Sequence, residues 1–73
     1  MDAYVCLYTD KYGIVRGTST IEAHCIETAI AAAAEGARSR ALLGVDLWQA
    51  DQRVVHIPDI DTAGVLAGPR YRA

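Results

Sequence analysis

Residues 14 to 41 decide the fold, and they read IVRGTSTIEAHCIETAIAAAAEGARSRA. Up to Ala23, apolar or small residues alternate with polar ones, and the β-branched residues in this part favour a strand. From Ile26 onward the apolar residues recur with the 3.6-residue period of an amphipathic helix. Ser19 and Glu22 also form a capping box, which is the signature of an earlier helix start. Because the alternation continues to position 23, we predict the longer strand, followed by a helix.

The predicted helix has one alanine-rich face, which comprises Ile26, Ala29, Ile30, Ala33, Ala37 and Ala41. Glu27, Glu35 and Arg38 fall on the opposite face and mark it as exposed. Alanines on the buried face allow the helix axis to approach a sheet closely. Gly36 lowers the helix propensity by about 1 kcal/mol relative to alanine. Gly44 is predicted to cap the end of this segment.

Three further strands are predicted, at Ala3–Thr9, Val45–Ala50 and Arg53–Ile57. Asp10–Gly13 is predicted to turn the first hairpin and Asp51–Gln52 the second. The order β-β-α-β-β predicts an α+β fold with two layers, in which one helix covers one face of a four-stranded antiparallel sheet. We expect the strand order 2-1-3-4. Residues 1–57 are predicted to form this core, and residues 58–73 a C-terminal appendage of the same domain.

Composition restricts the function classes that fit this chain. Its 73 residues include 52% hydrophobic and 22% charged residues, which is typical of one small globular domain. So small a core favours help from a partner or a second copy. A net charge of −2 without a lysine or arginine cluster argues against sequence-specific nucleic-acid binding. Uncharged runs are far shorter than a membrane span and Met1-Asp2 precedes no basic segment, so we expect a cytoplasmic protein that binds no membrane.

The sheet face opposite the helix is the predicted binding surface. The residues expected to face the helix are Val5, Leu7, Val15, Ile21, Ala23, Val45, Leu47, Val55 and Ile57. Alternation then sends to the opposite face Tyr4, Cys6, Tyr8, Arg16, Trp48 and His56. Aromatic side chains and arginine are enriched at protein interfaces. We therefore predict a partner-binding site or a homodimer interface formed by Tyr4, Tyr8, Arg16, Trp48 and His56.

Two other uses of this face remain open from the sequence. Val65 and Leu66 in the C-terminal appendage can fold over the sheet and turn its outer face into a second small core. Alternatively, the aromatic rings can stack the bases of a single-stranded nucleic acid. The second use is disfavoured because stacking platforms are usually combined with a basic groove, and Arg16 is the only cation nearby.

No catalytic residue, metal site or cofactor is predicted. Cys25 precedes the helix beside His24, so a thiolate stabilised by the helix N-terminus is conceivable. No third orienting group is identifiable, and a small residue at the N-cap position explains the cysteine more simply. The possible metal ligands His24, His56, Cys6 and Cys25 lack the paired short spacing of structural zinc sites.

The segment Gly17-Thr18-Ser19-Thr20-Ile21-Glu22-Ala23, the alanine-rich helix after it, Gly44 and the closing hairpin resemble a known family. They are similar to the β-β-α-β-β core of small phage anti-CRISPR proteins that inhibit type I surveillance complexes, over positions 3 to 57. The resemblance implies a protein that performs no chemistry. Such an inhibitor binds a subunit of the guide-RNA complex and blocks target DNA or locks the conformation of the complex.

This chain departs from those inhibitors in charge, since it has neither a lysine patch nor a strongly acidic face. No contact residue is therefore carried over from the family. The expectation is a non-enzymatic, protein-binding domain of a phage or bacterium, in its sharpest form an inhibitor of a bacterial defence complex. The alternative is a homodimeric bacterial accessory domain without catalytic activity.

Overall fold

A computed structural model describes residues 1–61, and these residues form five elements. In chain order they are β1 (Asp2–Thr9), β2 (Val15–Ala23), α1 (Ile26–Ser39), β3 (Gly44–Gln49) and β4 (Gln52–Ile57). The strands form one antiparallel sheet in the order β2-β1-β3-β4, and α1 packs on one of its faces. The predicted ββαββ fold and strand order are confirmed. Val65 and Leu66 lie outside the described residues.

The predicted alanine-rich face of α1 is buried against the sheet up to Ala37, whereas Ala41, which was also predicted to lie on this face, is exposed beyond the end of the helix. Ala29, Ala33, Ala34 and Ala37 are buried, while Ile26 and Ile30 are partly buried at the edges of the same core. The side chains that fill this core come mainly from the sheet, because alanine contributes only a methyl group. Ile60 is also buried, and its N–H donates to the Leu43 carbonyl at 2.8 Å. The first residues beyond position 57 therefore pack onto the domain.

The helix ends earlier than Gly44, so the predicted glycine cap is wrong. The N–H of Leu42 donates to the Ala37 carbonyl at 2.9 Å, and that of Ala41 to the Arg38 carbonyl at 3.0 Å. These two bonds form a Schellman motif, in which the residue after the C-cap has a left-handed backbone. Ala41 takes that conformation with φ 58°. Backbone hydrogen bonds thus close the helix without a glycine.

Gly44 instead begins β3, at a place with no room for a side chain. A Cβ there would lie 2.9 Å from the Pro58 carbonyl oxygen and 3.0 Å from that of Ile57. The second hairpin also differs by one residue from the prediction, because it turns at positions 50 and 51. Ala50 has φ 57° in this turn.

The predicted faces of β1 are inverted. Tyr4 and Tyr8 are only 3% and 1% exposed, and with Cys6 they lie in the core under α1, whereas Val5 is 40% exposed on the other side. The predicted core positions on β3 and β4 are confirmed at Val45, Leu47 and Ile57, which are buried, and at Val55, which is partly buried. On β2 the predicted core positions Ile21 and Ala23 are confirmed, but Val15, which was predicted to face the helix, is 48% exposed and pairs with Thr9.

A β-bulge at Arg16 causes this inversion. Thr9 is paired with Val15, but the next pair is Tyr8 with Gly17, so Arg16 is an extra residue in β2. Without the bulge, Tyr8 would pair with Arg16, and Val5 and Leu7 would share a face with Gly17, Ser19 and Ile21 of β2. A register shift of one residue moves every side chain of a strand to the other face.

The first hairpin is closed by the side chain of Asp10. Its Oδ1 accepts hydrogen bonds from the N–H groups of Tyr12 at 2.8 Å and Ile14 at 3.1 Å, and its Oδ2 accepts one from Arg16 Nε at 2.9 Å. The hydrogen bond from Arg16 and those from the backbone lower the pKa of this carboxyl. The bulge residue is thereby fixed to the turn that precedes it.

Candidate functional site

The sheet face opposite α1 carries two rows of cross-strand neighbours. The rows are Thr20, Val5, Trp48 and Arg53, and Thr18, Leu7, Asp46 and His56. These eight residues are called the open face below. None of the elements within residues 1–61 packs on it, since α1 lies against the other side. An uncovered sheet face with apolar residues at its centre is a candidate interaction surface.

The centre of the open face is apolar. Val5 is 40% exposed, and Leu7 beside it on the same strand and Trp48 directly opposite it on β3 are partly exposed. The indole Nε1 of Trp48 is buried and has no hydrogen-bond partner in the described part of the chain. Packing rather than hydrogen bonding therefore holds this ring in place. Tryptophan in such a setting offers a large apolar area to a partner.

An acid between two basic side chains borders this centre. Asp46 Oδ1 accepts a 2.6 Å hydrogen bond from His56 Nδ1, and Asp46 Oδ2 lies 3.7 Å from Arg53 Nη1. The Asp46 side chain is only 16% exposed, whereas the side chains of Arg53 and His56 are about half exposed. The groups presented to solvent at this side are therefore the guanidinium and the imidazole, and the carboxylate holds both in position.

The predicted binding residues separate into three groups. Trp48 and His56 lie on the open face, as predicted. The predicted exposure of Tyr4 and Tyr8 is wrong, because both rings are buried under α1 and cannot contact a partner. Arg16 is exposed, but it lies at the bulge of the first hairpin and pairs with Asp10 rather than with the tryptophan.

The sequence did not predict four residues that form the apolar centre of the open face or border it. They are Val5, Leu7, Asp46 and Arg53. Asp46 and Trp48 flank the buried Leu47 on β3. The alternation of this strand therefore predicts that Asp46 lies on the same face as Trp48. Val5 and Leu7 depend on the bulge in β2. Arg53 depends on a second register shift, which pairs it with Trp48 and leaves Val54 without a cross-strand partner.

The buried aromatic residues shape the core. The Tyr8 hydroxyl lies 2.7 Å from Ser19 Oγ in a hydrogen bond, and the Arg40 guanidinium lies 4.3 Å above the ring centroid. Burial raises the pKa of Tyr8, and it also raises the pKa of the Cys6 thiol. These groups are neutral at physiological pH and serve packing.

A groove of about 310 Å³ lies between the first hairpin and the connection from α1 to β3. It is lined by Asp10, Lys11, Tyr12, Ala41, Leu42 and Leu43. Its carboxylate already accepts three hydrogen bonds, and its lysine lies 5.2 Å from the centroid of the Tyr12 ring. The lining therefore holds no pair of uncommitted groups for acid-base chemistry.

The exposed Cys25 is the N-cap residue of α1, with φ −145° and no side-chain hydrogen bond to the helix backbone. Its Sγ lies 3.2 Å from Thr28 Oγ1. Across residues 1–61, no three histidine, cysteine, aspartate or glutamate side chains cluster in a way that could hold a metal ion. The same residues contain no helix long and apolar enough to cross a membrane.

The open face combines an apolar centre with charged groups beside it. Its residues come from all four strands, so the sheet fixes their relative positions. Comparisons with protein-family models, curated proteins and solved structures find no match to this chain.

Proposed function

We propose that this chain is a non-enzymatic, protein-binding domain that contacts its partner through the open face. The observation that supports the proposal is the partly exposed apolar centre at Val5, Leu7 and Trp48, on which no element of residues 1–61 packs and which Asp46, His56 and Arg53 border. Protein interfaces combine an apolar centre with a polar rim, and tryptophan and arginine often carry most of their binding energy. A rigid sheet presents these groups with little loss of conformational entropy on binding.

The partner surface that fits has an apolar projection and an acidic group. The apolar projection packs on Trp48, and the acidic group lies against β4, where Arg53 and His56 are half exposed. The threonines of β2 form a neutral polar rim on the other side. Charge complementarity of this kind orients a partner and increases its association rate.

In its specific form, the proposal is that the partner is a protein subunit of a type I CRISPR surveillance complex. The support for this form is the resemblance of positions 3 to 57 to small phage inhibitors of such complexes. A purified surveillance complex is expected to lose binding to its target DNA when this protein is added. A gel-shift assay with the complex, a labelled target duplex and increasing inhibitor measures this effect, and capture of the purified complex by the tagged protein measures binding itself. Unchanged DNA binding together with no capture of the complex would contradict the specific form only.

The general proposal is tested by comparing the Trp48→Ala variant with a matched control. Tyr12→Ala also removes an exposed aromatic ring, but from the tip of the first hairpin. Tagged wild type and both variants are used to capture proteins from a bacterial lysate, and each captured protein is quantified by mass spectrometry. We expect Trp48→Ala to weaken binding of the specific partner by about 1 to 3 kcal/mol, or roughly 5- to 150-fold, and Tyr12→Ala to leave it unchanged.

The folded state of each variant is checked by circular dichroism before capture. If Trp48→Ala folds and captures the same proteins in the same amounts as wild type, the open face is not the binding surface. If both aromatic substitutions reduce capture equally, the loss is not specific to the open face, and the proposal is also wrong. A loss confined to Trp48→Ala supports it.

A further inference from the structure

The two edges of the sheet differ in how well they are protected against pairing with another strand. β4 has six residues, and a register shift at its second and third residues, Arg53 and Val54, leaves only the last three in regular pairing. β2 has nine residues, and its bulge lies near its beginning, so Gly17–Ala23 is regular. Edge strands are usually protected by shortness, bulges, proline or lysine. The regular part of β2 has none of these features.

The sequence of β2 is complementary to itself in the antiparallel direction. Directly opposite residues of two paired strands have side chains on the same face of the sheet. In a pair of β2 strands, each residue must therefore lie opposite a residue whose side chain points to the same face. A two-fold axis at Ser19 meets this condition. It places Thr18 opposite Thr20 of the second copy within the regular part of the strand, and it brings Arg16, the bulge residue at the end of that part, next to Glu22.

The charges at the two ends are available for this pairing. The Arg16 side chain is 58% exposed and bonds Asp10 through Nε, which leaves its terminal nitrogens for a second carboxylate. Glu22 is exposed and has no ion pair within residues 1–61. Two opposite-charge pairs therefore form at once, one at each end of the paired segment. Opposite charges directly across two strands stabilise their pairing.

Other allowed registers lose these contacts. With the axis at Thr20, Arg16 is opposite His24 and Glu22 is opposite Thr18. With the axis at Thr18, Arg16 is opposite Thr20, and the glutamate is opposite Ile14 in the hairpin turn. Only the axis at Ser19 pairs the arginine with the glutamate.

We propose that two copies of this chain associate through β2, antiparallel and centred on Ser19, to form a continuous eight-stranded sheet. Because cross-strand neighbours share a face, both helices lie on one side of this sheet and both open faces on the other. The pairing uses the edge of β2, and of the open face it involves only the two rim residues Thr18 and Thr20, so Val5, Leu7, Trp48 and the side chains of β4 stay free. It is therefore independent of the proposed function, and each copy in the dimer keeps its open face free for a partner.

Charge reversal tests the pairing and its register. Light scattering coupled to size-exclusion chromatography is expected to show a wild-type dimer. Arg16→Glu or Glu22→Arg alone creates two like-charge pairs per dimer, and each is expected to raise the dimer dissociation constant by about 10-fold or more. An equimolar mixture of the two variants restores both attractive pairs. We expect the mixture to form a heterodimer, which native mass spectrometry identifies by its mass.

Arg38→Glu is the matched control, because it reverses an exposed charge that pairs with Glu35 on α1. This variant is expected to remain dimeric. Hydrogen exchange of the wild type provides a second readout that needs no variant. Amide protection in β2 is expected to increase with protein concentration, whereas protection in β4 is not.

Three results would overturn the pairing. They are a wild-type monomer up to about 1 mM, a dimer that neither charge reversal weakens, and a mixture that does not restore association. A dimer that Trp48→Ala dissociates, but the charge reversals do not, is formed by the open face and also contradicts the β2 pairing. Failure to capture a partner leaves the dimer intact, so the two proposals fail separately.

Discussion

Replacing Gly36 with alanine is expected to destabilise this protein, although the same substitution stabilises most helices. A Cβ at this position of α1 would overlap the Tyr8 hydroxyl and lie 2.9 Å from Cζ of the ring. The ring cannot withdraw, because its hydroxyl is hydrogen-bonded to Ser19 at 2.7 Å and the Arg40 guanidinium packs on its face. The space above the tyrosine therefore exists only because residue 36 has no side chain.

The change in the free energy of unfolding has one stabilising and two destabilising contributions. Alanine increases the helix propensity at Gly36 by about 1 kcal/mol. Overpacking of a core costs about 1 to 3 kcal/mol, and loss of the hydrogen bond between Tyr8 and Ser19 costs about 1 to 2 kcal/mol. The expected net loss in the free energy of unfolding is about 1 to 4 kcal/mol. For a domain of this size, each kcal/mol lowers the Tm by roughly 4 to 8 °C.

Urea denaturation followed by circular dichroism measures this loss. Ala32→Gly, at an exposed position of the same helix, is the control for propensity and is expected to cost about 1 kcal/mol. Tyr8→Phe removes the overlapping hydroxyl, so Gly36→Ala combined with Tyr8→Phe is expected to cost less than the sum of the two single substitutions. A Gly36→Ala variant more stable than wild type, or strict additivity in the double variant, would refute the reasoning.

Further substitutions test the helix phase, the cysteine and the hairpin turn. Ala33→Leu is expected to overpack the core and cost about 1 to 3 kcal/mol in urea denaturation, and an equal loss from the exposed Glu35→Leu would contradict the helix phase. Cys25→Ser is expected to keep the fold and partner capture and to raise the Tm slightly, since a hydroxyl caps a helix better than a thiol; loss of capture by the folded variant would indicate thiol chemistry. The pKa of Asp10 is lowered in the fold, so this group stabilises the protein above about pH 4 and its contribution is lost as the pH falls through the folded pKa. Thermal melts from about pH 2 to 6 are expected to show a smaller acid-induced fall of Tm for Asp10→Asn than for wild type, and an unchanged fall would contradict this role.

The change of period at Ile26 predicted the buried face of α1, and together with the other strand and turn patterns and the rules for connections it predicted the element order and the strand order. These features depend on short-range patterns, and alanines at helical spacing have one consistent interpretation. The helix end was not predictable in the same way. Ala41 adopts a left-handed backbone at a position where glycine is usual, so the residue type gave no signal.

The faces of β1 could not be predicted from its own sequence. Tyr4 and Tyr8 on one face and Val5 and Leu7 on the other are all apolar enough to be buried, so alternation alone leaves the choice open. The neighbouring strand settles it, through the extra residue Arg16. Bulges depend on turn geometry and side-chain hydrogen bonds, and here the three hydrogen bonds that Asp10 accepts form only once the hairpin is formed.

The bulge also bears on which side chains the open face would offer to the proposed partner. It turns the tyrosines toward α1, where the alanines and Gly36 leave space for them, and it leaves the short side chains of Val5 and Leu7 outside. Trp48 is then the single large aromatic ring among the eight residues of the open face. Interface energy concentrates in large, well-packed anchors surrounded by weaker contacts. The face is therefore expected to depend on Trp48 more than a surface shared among three aromatic rings would, which makes Trp48→Ala the most informative single substitution for its function.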